Sequence, residues 1–198
     1  MSAGPRIAPL SGGDLAAWLP ELARLRIEVF REFPYLYDGS STYEETYLRT
    51  YAEMPGAVIV GASMDGRPIG AATGLPMRGE PDHVTGPLKA AGYDIDRLFY
   101  FGESVLEPAW RGRGIGVRFM AEREAWARSL GGFEQAVFCA VRRPADHPRR
   151  PAGYVPLDDF WRRRGFAPIE GLSCEFSWWD LDETAATPKP MGYWIKRL

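Results

Sequence analysis

Between Phe99 and Leu130 the chain reads FYFGESVLEPAWRGRGIGVRFMAEREAWARSL: an apolar run, a glycine-rich turn and a stretch with helical periodicity. No other segment restricts the fold as much. Phe99 to Leu106 has strand character with one carboxylate inside it, Glu103. Pro108 cannot donate to a sheet ladder, so the strand ends near it. Ile115, Phe119, Trp126 and Leu130 then recur at helical spacing, and Gly131-Gly132 stops the helix. A glycine-rich loop opening a helix has a physical use. The first helical N–H groups lack intrahelical partners and carry the positive end of the helix dipole. Such an end binds anions, phosphates above all. Glycine lets a ligand approach the backbone, and Arg111 and Arg113 add donors suited to phosphate oxygens.

The loop type narrows on comparison. A nucleoside-triphosphate loop needs Gly-Lys-Ser/Thr, but Ile115 follows Gly114. The dinucleotide fingerprint needs a third glycine where Val117 stands. What remains is Arg-x-x-Gly-x-Gly, from Arg111 to Gly116, after a strand ending Leu106-Glu107-Pro108. This closely resembles the acyl-CoA-binding core motif of the GNAT acetyltransferase superfamily. The resemblance implies that the backbone from Arg111 through Gly112, Arg113, Gly114, Ile115 and Gly116 to Val117 holds the CoA pyrophosphate. It also implies that Val105 and Leu106 hydrogen-bond the pantetheine arm and that Trp161 lies beside the cofactor.

At 198 residues the chain is long enough for one domain with a real core, expected over 1–198. A hydrophobic fraction of 45% with 25% charged residues describes a globular protein. The net charge of −2 gives no case for nucleic-acid binding. No apolar run approaches the ~20 residues of a membrane span. The start, MSAGPRIAPL, lacks the apolar core of a signal peptide, so a cytoplasmic location is expected. Cys139 and Cys174 sit in apolar strand-like runs and read as reduced core residues. With His83 and His147 alone, no His/Cys ligand cluster can be written, and no metal is expected.

In chain order, Arg6 to Leu10 reads as a short strand and Asp14 as a cap. Leu15, Trp18, Leu19, Leu22, Leu25 and Val29 form an apolar helical stripe, with a break expected at Pro20. Phe33 to Gly39 is an aromatic loop that serves either core packing or a substrate pocket. Ser41 with Glu44 reads as a capping box before Tyr43, Tyr47, Tyr51 and Met54. Asp65-Gly66 joins two strands in a hairpin. Pro76 to Arg97 reads as an insertion with a short helix near Leu88 to Ala91, placed to cover an acceptor. Gln135 to Val141 is a buried strand. A loop to Pro156, a helix from Leu157 to Arg164, an alternating strand through Trp178 and a last strand from Met191 to Ile195 complete the chain. This order resembles the GNAT fold over nearly the whole chain. The α/β (α+β) class follows, with a mixed sheet of about seven strands between helices.

The activity implied is acetyl transfer from acetyl-CoA to a primary amine of a small molecule or amino-acid-like acceptor. Only a neutral amine attacks, and a lysine-like amine has a pKa near ~10.4, so a base is needed. Glu103 is the candidate, with a structural pairing to Arg67 or Arg97 as the competing role. Leu106 N–H is the expected donor to the thioester carbonyl. Family members often carry a tyrosine acid where this chain has Trp161, which leaves Tyr154 as the candidate acid. Some of Arg142, Arg143, Arg149, Arg150 and Arg162–Arg164 are candidates for the CoA ribose phosphate. A mild acidic excess in the first helices fits a cationic acceptor. The missing tyrosine also suits a second reading, an acyl-CoA-binding sensor without turnover. Monomer and homodimer both stay open.

Overall fold

The computed structural model describes residues 4–10 and 13–198, without the side chains of 13–16, 45–46, 50 and 52. The cap expected of Asp14 and the core contact of Leu15 therefore lie outside the described residues. The elements are β1 (Arg6–Pro9), α1 (Gly13–Phe30), α2 (Ser41–Glu53), β2 (Val58–Met64), β3 (Arg67–Pro76), α3 (Asp82–Ala90), β4 (Leu98–Leu106) and α4 (Ile115–Leu130). Then follow β5 (Gln135–Val141), α5 (Asp158–Arg162), β6 (Ala167–Trp178) and β7 (Thr187–Arg197).

The strands form one seven-stranded sheet in the order β1-β2-β3-β4-β5-β7-β6. Every neighbouring pair is antiparallel except β4 and β5. Consecutive residues of the central strands go to opposite faces. Leu98, Tyr100, Val137 and Cys139 pack with Leu22 and Leu25 of α1, Leu48 of α2 and Leu88 of α3. Phe99, Phe101, Ala136 and Phe138 pack with Ile115, Phe119 and Met120 of α4. A sheet covered on both faces reads as continuous apolar runs, which is why LFYF and AVFCAV do not alternate. Each fully buried phenylalanine there stabilises the fold by roughly 1.5–3 kcal/mol.

Four local expectations need correction. Helix α1 runs unbroken through Pro20, whose side is exposed. The buried leucines after Pro20 pack on the sheet, and that packing offsets the ~3 kcal/mol cost of an internal proline. At α2 the Ser40 hydroxyl, not Ser41, accepts from Tyr43 N–H at 3.4 Å, and Glu44 is buried against Arg26 instead of reaching back to the cap. Helix α3 starts at Asp82, because Val84 and Leu88 give it an apolar face one turn earlier than expected. Strand β7 begins at Thr187, extended by its pairing with β6 as far as Trp178. The Asp65-Gly66 hairpin is as expected, with φ of 50° and 81° as a type I′ turn requires.

Candidate active site

Strands β4 and β5 pair only at Leu98, Phe99 and Tyr100. Beyond Tyr100 they diverge. The opening holds a cavity of about 480 Å³ lined by Phe101 to Ser104 of β4, Phe138 to Val141 of β5, Met120 and Arg123 of α4, and Tyr154 and Trp161. A bulge sharpens the divergence. Ala72 pairs with Ser104 and Gly74 with Phe101, so one extra β4 residue stands opposite Thr73. Glu103 N–H donates to the Thr73 hydroxyl at 3.2 Å. The buried Arg123 guanidinium donates to the carbonyls of Thr73 (3.1 Å) and Glu103 (3.3 Å) and to the Ser104 hydroxyl (2.9 Å). The bulge is therefore held from both sides. Gly102 leaves the room it needs, since a Cβ there would meet the Tyr51 and Thr73 oxygens.

At the far end of β4, Gly112 and Gly114 adopt φ of 75° and 80°, and a Cβ on either would point into open space. Gly114 caps α4 in the left-handed conformation. Among the described residues, no N–H from Gly112 to Val117 donates to a backbone carbonyl. A row of free amides at a helix N-terminus, reachable because two glycines carry no side chain, fits a pyrophosphate. Gly116 faces the Phe160 ring of α5, and Ile115 is buried and anchors the helix start. The Arg111 side chain is engaged locally, with Nε donating to Leu106 O at 3.2 Å and Nη1 to Glu32 at 2.7 Å. Arg113 lies over the Trp110 ring. Val105 is buried and pairs with Ala71, while Leu106 is half-buried at the strand end.

A second cavity, of about 1220 Å³, shares Phe30, Tyr35, Gly102, Glu103 and Cys139 with the first and extends over α2 and β6. Its walls include Tyr35, Tyr37, Tyr43, Tyr47 and Tyr51, so the aromatic loop and the α2 stripe both line a pocket while Leu36 and Tyr51 are also buried in the core. Glu103 is not paired with Arg67 or Arg97, which engage Glu107 and Glu134. Its partner is Arg26 of α1, at 2.7 Å from Oε2. Arg26 also binds the buried Glu44. Burial opposes the Arg26 charge, and Glu103, Tyr47 and Glu44 more than offset it, so Arg26 stays well above the ordinary arginine range. Tyr47 donates to the same Glu103 oxygen at 3.4 Å. Burial pushes the Tyr47 and Tyr51 hydroxyls well up, so both stay neutral.

Two further residues complete the picture, Glu80, which the sequence reading did not single out, and Arg143, which it offered to the CoA ribose phosphate. Glu80, from the turn between β3 and α3, lines the larger cavity. Burial, then the Glu103 and Cys174 charges, push its carboxyl up to about 8. Arg143 is an internal brace: it donates to Pro34 O, Tyr35 O and Asp180, each at 2.8 Å, and so fixes the aromatic loop. Arg150 lies over Tyr154, Arg162 over Trp194, and Arg164 donates to Phe160 O. Trp161 packs edge-on against Phe138 and Trp194. Tyr154 packs edge-on against Phe33, and burial raises its hydroxyl. The two cysteines are buried free thiols with sulfurs 3.5 Å apart, and burial pushes the Cys139 thiol well up.

Known proteins match this arrangement. The model of the acetyltransferase (GNAT) family matches residues 22–166, more than half of the chain. An aminoglycoside N(6')-acetyltransferase type 1 from Stenotrophomonas maltophilia is 26% identical over 136 residues, covering 69% of this chain and 76% of that one. A ribosomal-protein-alanine N-acetyltransferase from Brucella melitensis superposes with a TM-score of 0.63 at 15% identity, over 98% of this chain and 99% of that one. A Salmonella typhimurium protein solved with its cofactor acetyl-CoA superposes at 0.61 with 10% identity, over 99% and 95% of the two chains. At such identities the superpositions speak for the fold, and the family match speaks for membership. The split sheet, the glycine loop at the start of α4 and the match over 22–166 agree: this chain belongs to the GNAT family of acetyltransferases.

Proposed function

We propose that the whole chain is one acetyltransferase domain that moves the acetyl group of acetyl-CoA to the primary amine of a small molecule by direct attack. The observation that carries this is Glu103, which lines both cavities where they meet. One cavity occupies the split between β4 and β5; the other adjoins it and also holds Glu80. Bound acetyl-CoA supplies the thioester whose carbonyl carbon bonds to the amine nitrogen as its bond to sulfur breaks. The chain's own residues do the rest. The amides from Gly112 to Val117 bind the pyrophosphate, and Val105 and Leu106 offer the strand edge to the pantetheine arm. Leu106 N–H faces the charge that builds on the carbonyl oxygen. Trp161 forms part of the wall. Glu103 presents a carboxylate to the amine. Tyr154, kept protonated by burial, gives a proton to the departing sulfur.

A thiol-release assay with acetyl-CoA over a panel of small primary amines tests this reading. Release with at least one amine is expected, and Tyr154→Phe should lower kcat by on the order of a hundredfold with KM for acetyl-CoA unchanged. Silence across the panel contradicts transfer; full kcat in the variant removes Tyr154 from the proton path.

A further inference from the structure

The larger cavity carries more information than the presence of an acceptor. Its carboxylates are not equivalent. Glu103 spends Oε2 on Arg26 and Tyr47, while its Oε1 is buried with no partner. Burying a carboxylate oxygen unpaired is costly, and a donor from a ligand would relieve it. Glu80 lines the same cavity, and among the described residues neither of its oxygens meets a hydrogen-bond donor or a cation. Many of the other wall residues are aromatic; Asp38, Ser40, Glu175 and Ser177 stand among them. Tyr37, Phe176 and Trp178 line the interior, and Tyr43 and Trp179 stand at the rim with 58% and 49% of their surface exposed. Rings on several sides suit a flat apolar body and the cation attached to it.

We propose that the acceptor is a primary amine on an aromatic body, its ammonium held between Glu80 and the free oxygen of Glu103, and that Glu80 is the base that takes its proton. This rests on the acetyltransferase reading above. In the proton step one N–H bond of the ammonium breaks and one O–H bond forms on Glu80. The electron pair stays on nitrogen, which becomes the nucleophile. Glu103 positions the ammonium and keeps its pairing with Arg26.

The groups around Glu80 fix how binding depends on pH. Glu103 and Tyr100 face it from β4, Tyr47 and Tyr51 from α2, Cys139 from β5 and Cys174 from β6. Glu175, His83 and Arg26 line the same cavity. The tyrosines and Cys139 are pushed up by burial and stay neutral, and Arg26 is committed to Glu103 and Glu44. The carboxyl that changes charge near neutrality is Glu80, at about 8. A cationic amine needs it ionised, so binding below that pH must expel its proton.

Calorimetric titration of phenethylamine into the full chain, without acetyl-CoA, tests the assignment. Wild-type affinity should be flat above pH 8 and fall about tenfold per pH unit below it. Glu80→Gln should bind at least tenfold more weakly at pH 8.5, with a flat profile from pH 6 to 8.5 and unchanged affinity for CoA. Ethanolamine, a cation without a ring, should bind at least tenfold more weakly than phenethylamine. Trp179→Ala, at an exposed position, should weaken phenethylamine and leave ethanolamine unchanged, which keeps the test decisive if Glu80→Gln does not fold. No phenethylamine binding to wild type, a Glu80→Gln titration that superposes on wild type, or ethanolamine binding equally well each overturns the proposal. A protein that binds phenethylamine as described but never binds CoA overturns the transferase reading and leaves this site standing.

Discussion

Arg26 shows at the scale of one residue how the site is held. It ties α1 to α2 through Glu44 and to β4 through Glu103, and all three side chains are nearly closed to solvent. Arg26→Ala would strand two buried carboxylates and should cost about 3–5 kcal/mol, lowering Tm by on the order of 10 °C in a melting curve. A change below 1 kcal/mol would mean that water reaches the pair. Glu80 gives a second residue-scale test with a definite sign. Its carboxyl is raised from an ordinary 4.5 to about 8, so between those values the folded chain holds a proton that the unfolded chain has lost. Folding is then penalised increasingly as pH rises through that window. Glu80→Gln should melt higher than wild type at pH 9 and close to it at pH 4; equal melting at both would show that the carboxyl is solvated. None of these side chains announced itself. Arg26 lies four residues after Leu22 and Arg123 four after Phe119, so both fall on apolar stripes, and that misplacement was the available signal. Glu80 sits in a polar stretch between Gly79 and Pro81, where one more carboxylate carries no signal.

At the scale of elements, the strand–loop–helix unit from β4 to α4 was legible because its chemistry is local. The apolar run, Pro108, the glycines and the helical repeat all act within a few residues of one another. The divergence of β4 from β5 was not legible, because it depends on a bulge against Thr73 and a brace from Arg123, both distant in sequence. The same distinction explains the helices: packing on the sheet carries α1 through Pro20, a tertiary effect that local propensity cannot register. The loop itself is open to test. Gly114 is left-handed with free space around its Cα, so Gly114→Asp places a negative side chain and a strained backbone where a pyrophosphate would lie. CoA affinity by calorimetry should fall at least tenfold, with phenethylamine affinity retained. Unchanged CoA affinity would move the pyrophosphate elsewhere.

At the scale of the molecule, the two faces of the sheet carry different features. The α4 side carries the glycine loop, the smaller cavity is lined from both sides of the split, by Met120, Arg123 and Trp161 and by Phe30 and Tyr35, and the α1–α2–α3 side carries the larger, aromatic cavity. They communicate through the split between β4 and β5, where Glu103 belongs to both. No helix among the described residues is long and apolar enough to cross a membrane. A mixed sheet of about seven strands was foreseeable from the order of elements, but the place of β7 between β5 and β6 was not, nor which side chains converge across the split, since they come from α1, β3, β4 and β5. Acyl-CoA recognition by this frame is the central claim. The most direct measurement is a thermal-shift comparison of acetyl-CoA, CoA, NAD and ATP on the full chain. Acetyl-CoA and CoA at a hundredfold over Kd should each stabilise the fold by about 2.7 kcal/mol, with NAD and ATP giving no comparable shift. No shift with either CoA species, or an equal shift with NAD, would contradict the account.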